Sequence, residues 1–257
     1  MNKAERHLKI LDYMLYNDKA ATIDLLRELC CVTSETIRKD LIEMEEQRKV
    51  CRVLGGAVLY EKIDERPFLK RYNENIKLKM EIAKTVSTMI EDKDFISLDS
   101  GSTNLCLGMN FPKRVVSVLT NSLDIAKELS KHEHVRVFVA GGELREKNMS
   151  MTGEGTEQFV RNYRVKKVFL TSEGVGIDYG IMDAHESESR VKRAMMSIAN
   201  ERYLLVDHTK FSVITPICTA PLKELTAIIT DSEINPDIVE RYTDEGIKII
   251  VSDPLLT

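Results

Sequence analysis

From residue 95 onward the chain keeps returning to one pattern. A short apolar, largely β-branched run breaks off into small or polar residues, and a stretch of helical periodicity follows. Phe95–Leu98 runs into Asp99-Ser100-Gly101-Ser102-Thr103, Val115–Leu119 into Thr120-Asn121-Ser122, and Val135–Ala140 into Gly141-Gly142-Glu143. Lys167–Thr171 runs into Ser172-Glu173-Gly174, Tyr203–Val206 into Asp207-His208-Thr209-Lys210, and Ala227–Ile229 into Thr230-Asp231. Strands that recur with helices between them need crossover connections, and crossovers build a mostly parallel sheet covered on both faces. An α/β domain is therefore expected. The pattern also localises function, because ligands of open α/β sheets sit outside the carboxyl ends of the strands, where these polar loops gather.

The first sixty residues are built differently. Leu8, Leu11 and Leu15, with Ile10 and Met14 beside them, give residues 4–15 the three- and four-residue spacing of a helix with one apolar face. Thr22 can cap a second short helix carrying Ile23, Leu25, Leu26 and Leu29. Thr33 or Ser34 can cap a third, with Ile37, Leu41 and Met44 on a narrow stripe. Val50 to Leu59, interrupted by Gly55-Gly56, reads as two short strands around a tight turn. Three small helices and a hairpin make the outline of a winged helix-turn-helix.

Outside its apolar stripe the third helix offers Thr33, Ser34, Thr36, Arg38 and Lys39. Hydroxyls can bond base edges or phosphates, the arginine can fork onto guanine or a phosphate, and the lysine can neutralise a phosphate. The hairpin adds Arg52, and Gly55 and Gly56 provide backbone that can approach DNA without a side-chain barrier. An ordinary solvated helix face is the alternative for the same residues. Charge does not decide between the two. Residues 1–60 carry ten Lys/Arg and ten Asp/Glu, and the whole chain of 257 residues carries 37 Lys+Arg against 41 Asp+Glu, a formal −4. A DNA-binding case must rest on local placement, because no chain-wide positive field exists.

Composition excludes several classes. With 43% apolar and 30% charged residues the chain is globular rather than disordered. The five cysteines, Cys30, Cys31, Cys51, Cys106 and Cys218, are odd in number and form no Cys-x-x-Cys pair, which argues for reduced thiols over a disulfide framework or a zinc module. Histidines are scattered, so no metal and no cofactor are expected. The charged start lacks an apolar h-region, and no run approaches roughly eighteen apolar residues, so a cytoplasmic protein without membrane contact is expected. Apolar density falls around Pro67. Residues 60–77 are accordingly read as a linker between a DNA-binding domain over 1–59 and an α/β domain over 78–257.

Thr36-Ile37-Arg38-Lys39-Asp40-Leu41, Arg52, Gly55-Gly56-Ala57, Arg66, Arg71, Asn75, Lys79 and Ile82-Ala83 resemble the start of DeoR-type bacterial transcriptional regulators. The likeness continues through Asp99-Ser100-Gly101-Ser102-Thr103, Thr120-Asn121-Ser122, Gly141-Gly142-Glu143-Leu144-Arg145, Gly153, Glu188 with Lys192, and Asp207-His208-Thr209-Lys210-Phe211. It covers nearly the whole chain. It implies a winged helix-turn-helix followed by a mostly parallel α/β sensor resembling the ribose-5-phosphate isomerase-like fold. It also implies a protein that represses a sugar-use operon until a phosphorylated intermediate binds. Arg48 and Leu54 depart from the family, standing where a turn glycine and a histidine are common.

The effector site expected on this basis comprises Asp99, Ser100, Gly101, Ser102, Thr103, Thr120, Asn121, Gly141, Gly142, Glu143, Arg145, Glu188, Lys192, Asp207 and Lys210. Ser100 to Thr103, between a strand and a helix, can cradle a phosphate with backbone N–H groups and hydroxyls, unless it is merely a capped turn. Carboxylates suit sugar hydroxyls, and Lys192, Lys210 and Arg145 add positive charge. A sugar-phosphate isomerase-like enzyme with an appended DNA-binding domain is the competing reading, with Glu173, Glu188 and Asp207 as acid-base candidates. The regulator is preferred, because an isomerase needs no DNA-reading appendage. One reading helix per chain makes few base contacts, so a homo-oligomer on operator DNA is expected.

Overall fold

The computed structural model describes residues 1–16, 20–47, 49–53, 55–59 and 72–255. Arg48, Leu54 and residues 60–71 of the expected linker lie outside them.

The N-terminal part runs α1 (Lys3–Tyr16), β1 (Ala20–Thr22), α2 (Ile23–Cys30), α3 (Ser34–Glu46), β2 (Val50–Val53) and β3 (Gly56–Leu59). Thr22 caps α2 by accepting from Leu25 N, and Thr33 caps α3 by accepting from Thr36 N, so each helix begins where a hydroxyl can satisfy an orphan donor. Between the two helices Cys31 takes the left-handed conformation (φ 53°) and closes α2. Ile37, Leu41 and Met44 are buried, as their spacing predicts, together with Leu26, Cys30, Val50, Ala57 and Leu59.

On α1 the face differs from the expectation. Ile10 and Met14 are fully buried, whereas Leu8 is 65% exposed. The rotation is fixed by a polar anchor: the Arg6 guanidinium and the His7 ring both donate to the buried carboxylate of Asp40 on α3. A helix that must bury Arg6, His7, Ile10 and Met14 turns Leu8 outward. The wing also gains a strand. β1 pairs with β3, giving the antiparallel order β1-β3-β2. Gly56 is required here, because a Cβ on it would lie 2.3 Å from the Ala21 carbonyl oxygen.

The second part runs α4 (Ile76–Met89), β4 (Phe95–Leu98), α5 (Ser102–Met109), β5 (Val116–Thr120), α6 (Leu123–Leu129) and β6 (Val135–Val139). It continues with β7 (Glu143–Arg145), β8 (Ser150–Thr152), α7 (Glu154–Arg161), β9 (Val165–Thr171), β10 (Gly174–Gly176), β11 (Gly180–Asp183) and α8 (Glu186–Ser197). The chain then passes through β12 (Ala199–Leu205), β13 (Ile217–Ala220), β14 (Ala227–Thr230), α9 (Pro236–Asp244) and β15 (Ile249–Val251). Seven strands form one sheet in the order β15-β14-β12-β9-β4-β5-β6, and all six pairings are parallel.

Side chains alternate between two cores. Phe169, Tyr203 and Leu205 face the helices α4, α5 and α6, while Val168, Leu170 and Leu204 face α7, α8 and α9. The six expected strands are all present. The β7–β8 hairpin, the antiparallel sheet β10-β11-β13 and the edge strand β15 were not anticipated, being only three or four residues each. Ile76 and Lys77, placed in the linker by composition, already belong to α4.

Strand order reverses between β4 and β9: the chain steps outward through β5 and β6, then returns to the other side of β4. Such a switch point splays the connecting loops apart and leaves a crevice at the carboxyl ends.

Candidate functional site

The crevice is occupied by the expected loops. A cleft there is lined by Ser100, Gly101, Ser102 and Thr103 after β4, by Thr171, Ser172 and Glu173 after β9, and by Asp207, Thr209 and Lys210 after β12. Lys79 from α4, Asn148, Asp183 from β11, and Glu188 and Lys192 from α8 complete the wall.

Gly101 is fixed by packing: a Cβ there would stand 2.2 Å from the Thr171 hydroxyl, across the β4–β9 junction. That approach brings the first turn of α5 against the sheet end. Gly101 is the N-cap of α5, and no side chain caps the helix. Its first N–H groups thus remain available to an anion, which disfavours the capped-turn alternative. The loop is held by Asn104, whose amide donates to the Asp99 and Phe169 carbonyls at 2.9 Å each. Asn121 accepts from Ser100 N at 3.1 Å and donates to the Met151 carbonyl.

Behind the loop lies a buried charge cluster. Lys192 pairs with Asp183 and stands 3.7 Å from Asp99. Asp183 also accepts from the Thr219 hydroxyl at 2.6 Å, and Asp99 accepts from the Thr171 N–H and hydroxyl at 3.2 and 3.1 Å. Burial pushes the Asp99 carboxyl up to about 6, against the opposing pull of Lys192. Burial acts to lower the Lys192 ammonium, but Asp183, Asp99 and Glu188 outweigh it and hold the group above the ordinary lysine value. Glu188 accepts from Asn148 at 2.6 Å and Ser150 at 3.0 Å, with Arg145 at 3.9 Å. On α4, Lys79 is buried and donates to the Glu74 carbonyl at 2.6 Å. Burial draws its pKa down, Asp207 opposes this, and Lys210 adds to it.

Of the expected effector residues, Ser100 to Thr103, Glu188, Lys192, Asp207 and Lys210 line the cleft. Asp99, Asn121 and Arg145 stand behind it, bonded to residues that do. Thr120 is buried and accepts from Ser122 N. Gly141, Gly142 and Glu143 are placed elsewhere: Gly142 packs against Thr156, and Glu143 is exposed on the β7–β8 hairpin. β6 is the edge strand, two places from β4, so the residues that directly follow it begin away from the β4–β9 switch point.

Lys79, Asn148, Thr171, Asp183 and Thr209 join the wall without having been assigned to it. Lys79 was legible in principle, since it stands at i to Ile82, Ala83 and Val86 at i+3, i+4 and i+7, a cation on an apolar face. Asp183 ends an apolar run just as Asp99 does.

On the N-terminal part, Arg38 and Lys39 are exposed on α3, Lys39 lying 3.5 Å from Glu35. The Thr33 and Thr36 hydroxyls bond each other at 2.9 Å as part of the helix cap. Arg52 is turned onto α3, where its N–H and Nε donate to Glu45 at 2.8 and 2.7 Å. This two-point pair fastens the wing to α3. Gly55, at φ 82°, forms the exposed hairpin turn. Among the described residues no helix is long and apolar enough to cross a membrane, and no group of three or more His, Cys, Asp or Glu is set to hold a metal ion.

Comparison with known proteins matches residues 6–62 to a DeoR-like helix-turn-helix domain and residues 74–232 to a DeoR C-terminal sensor domain. The chain is 31% identical to the uncharacterized HTH-type transcriptional regulator YulB of Bacillus subtilis, over 96% of this chain and 95% of that protein. It is 27% identical to the glycerol-3-phosphate regulon repressor of Escherichia coli, over 97% and 99% of the two chains. Among solved structures, ribose 5-phosphate isomerase A of Methanocaldococcus jannaschii is similar with a TM-score of 0.41 and 18% identity, over 55% of this chain and 56% of that one.

Proposed function

Because the chain belongs to the DeoR family of bacterial transcriptional regulators, we propose that it is an operator-binding repressor of a sugar-use operon whose DNA affinity is set by a phosphorylated sugar bound in the cleft. The observation that carries this reading is the cleft's mixed chemistry. An uncapped helix N-terminus, the hydroxyls of Ser100, Ser102 and Thr103, and the ammonium groups of Lys79 and Lys210 suit a phosphate. Asp183, Glu188 and Asp207 beside them suit sugar hydroxyls. A relative named for a glycerol-3-phosphate regulon supports a small phosphorylated polyol as the ligand class.

The cleft works as a binding site rather than a catalytic one. Asp183, Glu188 and Asp207 are already held by Lys192, Thr219, Asn148, Ser150 and Thr209, which ties these carboxylates to the protein rather than to a sugar carbon. Pentose and hexose phosphates incubated with the protein should stay unchanged by NMR. The protein is read as a symmetric homo-oligomer that pairs its reading helices on repeated or inverted half-sites, and footprinting a single short site bound by a monomer would remove that part.

The central test is operator titration with and without a panel of sugar phosphates. Ser102→Ala and Lys210→Ala should keep operator binding and lose the response. Unchanged induction would mean that the anion is held elsewhere, and loss of binding without effector would make these residues structural.

A further inference from the structure

The wing has two faces, and both are occupied. Val50, Ala57 and Leu59 point into the helical core, and Arg52 on the same side reaches α3. On the other face Cys51, Val53 and Val58 pack against Met182, Ile214 and Tyr179 of the sensor, with Val58 and Met182 fully buried. Strand alternation fixes this face, since Cys51 and Val53 of β2 and Val58 of β3 lie opposite the side that carries Val50, Ala57 and Leu59. The contact reaches the hairpin turn. A Cβ on Gly55 would stand 3.2 Å from the Tyr179 ring, so the backbone that a DNA phosphate would approach already lies against a phenol.

Tyr179 belongs to the turn between β10 and β11, whose exposed neighbour is Asp178. Burial acts most strongly to raise the Tyr179 hydroxyl, and the exposed carboxylates of Asp178 and of Asp24, on the first turn of α2, add to it. Two exposed carboxylates, Asp178 of the sensor turn and Asp24 of α2, thus bear on the ring that covers the wing's turn. A phosphate brought to this place meets like charge and an aromatic ring.

We propose that the 177–179 turn is an intramolecular clamp on the wing, a competitor for the DNA backbone built into the sensor. β11 joins the clamp to the cleft. Met182 packs on Val58 of the wing, and its neighbour Asp183, on the opposite face of the strand, pairs with Lys192 in the cleft. Displacement of β11 by a ligand is felt on both faces, giving a route between the two parts that does not run through residues 60–77. The inference rests on the N-terminal domain being the DNA-binding one.

The test uses the full chain, with Tyr179→Ala and the milder Asp178→Asn on an exposed turn. Amide hydrogen exchange over residues 50–59, without DNA, reads the docking, and affinity for a random-sequence DNA duplex at low salt reads the competition. Faster wing exchange in Tyr179→Ala is expected, with duplex affinity raised about fivefold or more in both variants and the Asp178→Asn gain fading as salt is added. Unchanged exchange in Tyr179→Ala overturns the docking. Faster exchange with equal duplex affinity in all three proteins overturns the competition. Failure of wild type and both variants alike to bind duplex DNA overturns the DNA-binding reading, and the clamp with it.

Discussion

Replacing Lys192 with Met tests the buried charge cluster most directly. Lys192 is 4% exposed and is the cation shared by Asp183, Asp99 and Glu188. Methionine keeps the stem's bulk but leaves three buried carboxylates facing one another. Hydroxyl and amide donors from Thr219, Thr171, Asn148 and Ser150 remain without supplying positive charge, while Arg145, 3.9 Å away, still offsets Glu188 but not the Asp183–Asp99 pair. Breaking a buried pair by removing one partner costs about 3–5 kcal/mol. With a denaturant slope of about 2–3 kcal/mol/M, the urea midpoint of the sensor should fall by roughly 1–2 M in a circular-dichroism titration.

The pH dependence carries the sharper signature. In the wild type Asp99 titrates near 6, above its ordinary 3.8, so the unfolded chain releases that proton first and the fold gains stability as pH falls through 6. Without Lys192 the Asp99 carboxyl loses the one cation that pulls its value down and holds its proton still more tightly in the fold, so the variant gains more over the same interval. The deficit should therefore narrow between about pH 8 and about pH 5.5. Adding Asp183→Asn to Lys192→Met should recover part of the loss at the higher pH. A deficit under about 1 kcal/mol, or one that is constant with pH, would refute the view of a dry, mutually dependent cluster.

On the DNA side, Arg38→Ala should cost about 1–3 kcal/mol at one base position of the operator, while Lys39→Ala should weaken all sequences alike and reduce the salt slope by about one. Identical behaviour across operator variants would abolish this division of roles. Asp40 lies in a different balance from Asp99: burial acts to raise its pKa, but the Arg6 and His7 bonds overcome it and hold the carboxyl below its ordinary value. Its contribution to stability is present above the unfolded value and lost as pH falls below that toward the folded one. Asp40→Asn should thus lower stability at neutral pH and flatten the acid limb of a circular-dichroism titration, and an unaltered acid limb would count against it.

What the sequence showed and withheld follows from the range of the forces involved. Ile37, Leu41 and Met44 could be read because helix spacing is local, and the loops after β4, β9 and β12 because apolar runs end abruptly in small and polar residues. Asp99 and Lys192 meet only through the β4–β9 pairing and the packing of α8, and nothing near either residue in the chain announces the other. Gly141 and Gly142 misled for the converse reason, since their local pattern matched the other strand ends while sheet order put them elsewhere. Leu8 looked like core by spacing alone, until the demand of Arg6 and His7 for Asp40 rotated the helix. The Arg52–Glu45 pair was not legible because the two stand seven residues apart, across a turn of structure no periodicity describes.

The strand order also sets a timetable. The helix-turn-helix and its three-stranded sheet close their own core within the first fifty-nine residues, so this part can form as soon as it leaves the ribosome. The cleft needs β4, β9 and β12 side by side, and β12 ends at Leu205. At about 5–20 residues per second of synthesis, roughly seven to thirty seconds separate the two events. Throughout that interval a nascent chain carries a finished DNA-binding domain and no working sensor. Met182 and Tyr179 also arrive late, so through that interval the wing lacks the sensor face against which Cys51, Val53 and Val58 pack in the finished chain.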